Sequence, residues 1–89
     1  MPRFFFNVFE ETLAVDEVGI DLPDVAAARE AAIEEARAAI GEGARRGRID
    51  LSHRIEVEDE DRRPVLMLPF SAAVEIEGPV NKGGPADTG

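Results

Sequence analysis

His53 is the only histidine among 89 residues, and cysteine is absent, so the chain has few ways to activate a nucleophile. Catalysis by side chains needs a nucleophile beside a base, or two acids poised at different pKa values. Ser52 adjoins His53, but neighbours in sequence are too close to form a triad unaided. A lone histidine in such a connection is more often exposed to solvent than used as a proton switch, which would need a partner. The lack of cysteine also removes disulfides and thiolate metal sites. The acidic run EVEDED at residues 56–61 could attract a divalent cation. Calcium loops, however, alternate their oxygen ligands about a glycine bend and close with a bidentate glutamate, and no such frame fits here. Gly41, Gly43 and Gly47 fall at the end of a helical stretch, whereas phosphate is held at helix starts. These residue types therefore predict no catalytic, cofactor-binding or metal-ligating site, and a protein that is not an enzyme.

Charge narrows the partners. Nineteen acids against ten bases leave a net charge of −9, which repels phosphate backbones and makes nucleic acid an unexpected ligand. Arg45, Arg46 and Arg48 cluster, but basic residues there read more readily as the favourable end of a helix than as a binding patch. A basic protein partner, or solubility alone, accounts better for the acidity. No apolar run approaches the roughly 20 residues that cross a bilayer, so no membrane association is expected. The start, MPRFFFNVFEE, lacks a cleavage signature, which predicts a cytoplasmic protein.

The element that must organise the rest is a helix over residues 24–47. Asp24 is a good N-cap after Pro23, and VAAAREAAIEEARAAI contains strong helix formers without glycine or proline. Val25, Ala28, Ala32, Ala36 and Ile40 recur at helical spacing, flanked by Ile33 and Ala39, so the apolar stripe is narrow and can lie close to a sheet. The spacing predicts a helix from Val25 to Arg46, roughly 33 Å long, with a weak point at Gly41 and Gly43 and a left-handed stop at Gly47.

Strands flank it on both sides. Residues 4–9 (FFFNVF) are apolar on both faces, Glu10 and Glu11 form a hairpin tip, and residues 12–15 return. A turn over residues 16–19 leads through an extended 20–22 into the helix. Beyond residues 49–52, Ile55 and Val57 alternate with Arg54, Glu56 and Glu58. A polar loop, 59–63, then leads to Pro64 and the apolar residues 65–68, and Pro69 stops the strand. Ser71 is placed to cap a short helical turn.

The predicted fold class is α+β: ββαββ, a four-stranded, mostly antiparallel sheet with one long helix on one face. One domain spans residues 1–77, followed by a Gly/Pro-rich flexible tail over 78–89. Placing the doubly apolar strands centrally predicts the spatial order second, first, fourth, third. A single helix covers a single face, so Phe5, Phe9, Leu66 and Leu68, or their out-of-phase equivalents, are expected to need cover from the turn after Pro69 or from a second subunit. Ile40, toward the overhanging end of the helix, joins them as a predicted interface residue, and a homodimer follows.

The segments MPRFFFNV, DEVGIDLPD, RRGRIDLSHRIEVEDED and LPFSAAVEI together resemble a family of short bacterial proteins, frequent in rhizobia and their relatives, whose function is not known. The resemblance spans Met1 to about Glu77 and implies a compact cytoplasmic domain without an established activity. Its members often carry histidine at the position of Asn7, an aspartate-glycine tip at Glu10 and Glu11, and glycine at His53. A shorter likeness, a hairpin followed by an acidic helix entered through Leu22-Pro23-Asp24, is to HicB-type antitoxins. The expected function is accordingly a non-enzymatic interaction or regulatory module acting as a homodimer. The alternative is an antitoxin-like inhibitor that covers a basic protein partner with its acids.

Overall fold

A computed structural model describes residues 1–78. The predicted tail, 78–89, lies outside the described residues except for Gly78. The elements run β1 (Arg3–Phe9), β2 (Leu13–Ala14), β3 (Ile20–Asp21), α1 (Val25–Arg45), β4 (Arg54–Glu58) and β5 (Pro64–Pro69), followed by a 3-10 turn at Phe70–Ala72. The class is α+β, with the helix against an antiparallel sheet of five strands.

The helix starts and ends for local reasons. Asp24 Oδ1 accepts from the Ala27 N–H at 2.8 Å, satisfying one of the free donors of the first turn. The helix is continuous through Gly41 and Gly43. It stops where Gly47 adopts φ of +85°, a left-handed conformation that glycine enters without a Cβ clash. Ala28, Ala32 and Ala36 are fully buried, and their small side chains let the helix sit close to the strands. Val25, placed on the same stripe by spacing, is instead exposed at the first turn.

The sheet order is β2-β1-β4-β5, with β3 pairing beside β2 on the same edge of β1. This corrects the expected order: the alternating strand β4 is central, and the apolar β5 is the edge. An alternating strand suits the middle of an antiparallel sheet when one face stays wet. Pro64 and Pro69, which cannot donate to a ladder, suit the edge. Segment 20–22, expected only to be extended, contributes β3, because Phe4 and Arg3 lie opposite Ile20 and Asp21.

Two side chains bridge the gap between β2 and β3. Asn7 Oδ1 accepts from the Asp16 N–H, and Asp16 Oδ2 accepts from the Phe6 N–H, both at 3.0 Å, in place of the missing ladder. Asp16 Oδ1 takes the N–H groups of Val18 and Gly19 as well. Burial would raise this carboxyl, but the N–H groups of Phe6, Gly19 and Val18, helped by the Arg62 charge, outweigh it and hold its pKa below the ordinary value.

Phe4, Phe6, Ile55, Val57 and Leu68 form the core under the helix with Phe70 and Ala73. Phe70 follows Pro69 directly and is buried, so the turn after β5 belongs to the helix-covered side. It is held there by Arg37, whose Nε donates to Ala73 O at 2.7 Å. The turn carries no side-chain cap from Ser71, contrary to expectation, and it does not cover the opposite face of the sheet.

Candidate functional site

Three surface features bring chemistry-bearing side chains together. The first is a cleft of about 290 Å³ between the β1–β2 hairpin tip and the end of α1, lined among others by Glu10, Ile40, Arg46, Arg48, Asp50 and His53. Its wall is built by a close approach. The Arg48 N–H donates to Gly43 O at 2.8 Å, and a Cβ at Gly43 would stand 2.5 Å from the Arg48 carbonyl oxygen. Glycine is therefore what lets residues 48–53 turn back along the helix end.

His53 lies inside this cleft rather than in solvent. Its side chain is 19% exposed, and its ring stands edge-on to Phe70 with centroids 5.6 Å apart. The Phe70 N–H donates to His53 O at 2.9 Å, which seats the histidine as β5 ends. Nε2 is 3.3 Å from Asp50 Oδ2, and Nδ1 is 3.9 Å from Glu10 Oε2. The sequence missed this because the contacts come from Phe70 and Glu10, remote along the chain.

The geometry of the three neighbours limits what they can do. Ser52 donates through Oγ and N–H to Asp50 Oδ1 at 2.5 and 3.0 Å, while His53 addresses the other oxygen of the same carboxylate. A relay needs the imidazole between hydroxyl and acid; here the acid lies between hydroxyl and imidazole. Glu10 and Asp50 also face different ring nitrogens, so the three groups do not converge on one point. No group of three or more potential metal ligands occurs among the described residues. Asp50 is pulled down to about 2, first by the Ser52 hydroxyl and N–H, then by the electrostatic influence of His53 and the hydrogen bond from Arg48, against some opposition from burial.

The second feature is the face of the sheet turned away from α1. Register places Phe5, Asn7 and Phe9 of β1 beside Glu58, Glu56 and Arg54 of β4, and Met67 of β5 beside Glu56. The guanidinium of Arg62 lies 3.7 Å from the Phe5 ring centre, and that of Arg54 lies 4.1 Å from the Phe9 ring centre. Arg54 Nε donates to Glu56 Oε2 at 2.8 Å, and Arg62 Nη1 donates to Glu58 Oε1 at 3.2 Å. Arg62 reaches its ring from a left-handed backbone, φ 65°, at the end of the 59–63 loop. Arg3 and Asp21 add a third pair at 3.0 Å, so this face balances its charges within itself.

The predicted interface residues are split by this arrangement. Phe5 and Phe9 are on the open face, each half-buried under an arginine. Leu66 and Leu68 lie opposite Val57 and Ile55 and therefore point to the helix side, where Leu68 is 1% exposed. The out-of-phase Met67, 55% exposed, is the β5 residue that shares a face with the two phenylalanines. Ile40 is half-buried in the lining of the His53 cleft, apart from all of these.

The third feature lies on the helix side, beside the β2–β3 edge. α1 packs mainly over β4, β5 and the 3-10 turn, and its off-centre position leaves a groove of about 340 Å³. Phe6, Val8, Ala14, Val15 and Ile20 line it together with Gly19, and its charges are Asp16 and Glu35. Glu35 is exposed as a residue, but its carboxyl is partly shielded by the groove. That loss of water, with the nearby Asp16 charge, pushes its pKa above the ordinary value.

A family model described as a domain of unknown function, DUF6894, matches residues 3–71. No curated protein and no solved structure matches the chain. Among the described residues, no helix is long and apolar enough to cross a membrane.

Proposed function

From the premise that this chain belongs to the DUF6894 family, matched over residues 3–71, we propose that it is a non-enzymatic protein-interaction module whose open sheet face packs against a second copy of itself. The observation that carries this reading is that, among the described residues, no second layer lies over Phe5 and Phe9, where the guanidinium groups of Arg62 and Arg54 are the cover. Met67 stands exposed on the same face, one strand further out on the edge strand β5. Charge supports a self-pairing. Although the whole chain is strongly acidic, the face offers Arg3, Arg54 and Arg62 against Asp21, Glu56 and Glu58, a pattern that a two-fold related copy can meet with opposite signs.

Size sets the strength. Three strands of five to seven residues and a fourth row made by the two-residue β2 and β3, about 4.8 Å apart, present about 350 Å² of projected face. Stable complexes bury about 800 Å² per partner, so the dimer is expected to be weak, in the micromolar range or above. Sedimentation equilibrium from about 10 µM to 1 mM tests it, since a Kd in that window moves the mass from 9.6 kDa toward twice that value. Met67→Glu, which adds a charge at an exposed position, should hold the chain monomeric without unfolding it. A strict monomer throughout, or a dimer indifferent to that substitution, would refute the reading. The second reading, an antitoxin-like cover for a basic protein, is favoured by the acids of the groove beside β3.

A further inference from the structure

We propose that the groove between α1 and the β2–β3 edge docks an extended segment of another protein that carries a lysine or arginine between aliphatic side chains. In this pose the cation meets Glu35 and Asp16, and its stem lies on Phe6 and Val8. The proposal deepens the interaction-module reading but does not depend on the dimer, because the groove is on the helix side of the sheet and the dimer face is on the other.

Two properties of the groove select this occupant. Its floor and walls are apolar, while both of its charges are negative and no basic residue lines it among the described residues. Lysine and arginine match that division, since their stems cover apolar surface while the charged head seeks an acid. Asp16 already accepts from three backbone N–H groups, so Glu35 has the greater need of a counter-charge. Its carboxyl also loses water to the groove beside another acid, an arrangement that an incoming cation relieves.

The surface around the groove points to a polypeptide. Val15 and Ile20 are about half exposed at its wall, and Val18, two residues beyond Asp16, is 72% exposed. β2 and β3 are two-residue strands on a free edge, where a further strand can add. A second copy of this chain is a poor occupant. It brings a net charge of −9 to a groove whose own charges are both negative.

The test is an NMR titration of the isotope-labelled full chain with terminally blocked peptides of about eight residues, long enough to lie along a sheet edge. An alternating lysine–valine peptide should shift the amide signals of Val8, Val15, Ile20 and Glu35. Glu35→Gln should weaken it about tenfold, as expected for removing one partly desolvated charge partner. A lysine–serine peptide should bind several-fold more weakly, and a glutamate–valine peptide should not bind. The proposal is overturned if the lysine–valine peptide does not bind, if its shifts fall instead on the acidic loop 59–61, if Glu35→Gln leaves affinity unchanged, or if lysine–serine binds equally well. The mass measured in the same samples reports separately on self-association, so loss of the dimer and loss of the groove are distinguishable.

Discussion

Gly41 and Gly43 offer a controlled comparison, because both sit in the last turns of one helix and differ only in what faces them. Alanine in place of glycine favours a helix by about 0.5–1 kcal/mol, largely by restricting the unfolded chain. At Gly41 a Cβ meets nothing within 4 Å, so Gly41→Ala should deliver that gain. For a domain of this size the melting temperature rises by about 2–8 °C. At Gly43 the same Cβ would stand 2.5 Å from the backbone oxygen of Arg48, where ordinary contacts begin at 3.4 Å. Residues 48–53 must then move outward by about 1 Å, losing the Arg48–Gly43 hydrogen bond, a loss of about 1 kcal/mol, with overpacking strain of about 1–3 kcal/mol besides. The propensity gain is smaller than that sum, so Gly43→Ala should destabilise by about 1–3 kcal/mol. Its signals from Arg48, Asp50 and His53 should shift as the cleft opens. Urea unfolding of the two variants beside the parent decides the matter. If Gly43→Ala is as stable as Gly41→Ala, the close approach does not hold the cleft wall and the reasoning fails.

Other substitutions test the remaining features. Arg62→Ala should destabilise by about 1–2 kcal/mol, by removing the stack on Phe5 and the bonds to Glu58 and Asp16 O while keeping a side chain at positive φ. Arg62→Gly loses the same contacts but relieves about 1 kcal/mol of left-handed strain, so in thermal melts it should be the more stable of the two; the reverse order would show the backbone there to be unstrained. Asp50 has a folded pKa of about 2 against an ordinary 3.8, so its contribution is fully present above about pH 4 and is lost as pH falls through 2. Unfolding curves between pH 5 and pH 2 should therefore be flatter for Asp50→Asn than for the parent. Parallel curves would remove Asp50 from the acid limb.

What the chain determined by itself is local. Asp24, the alanine-rich run and Gly47 set a helix and its ends, because capping, propensity and left-handed backbone are decided within a few residues. Glu10 and Glu11, the 16–19 turn and Pro64 with Pro69 likewise marked where strands start or stop. Apolar alternation was legible at Ile55 and Val57, but alternation says only that one face is wet, and either a central or an edge strand satisfies it. Strand order therefore waited on the pairing of β1 with β4. The site was less legible still. His53 looked solvated until Phe70 and Glu10 closed on it, and Phe5 and Phe9 looked uncovered until Arg62 and Arg54 lay across them. Nothing in the sequence sets Glu35 apart from the other helix acids; the off-centre seat of α1 leaves it beside Asp16 over an apolar floor. Each of these depends on distance in space between residues far apart in the chain, and periodicity carries no information about that distance. Folding alone brings such residues together, and it is their shared burial that changes what each one can do.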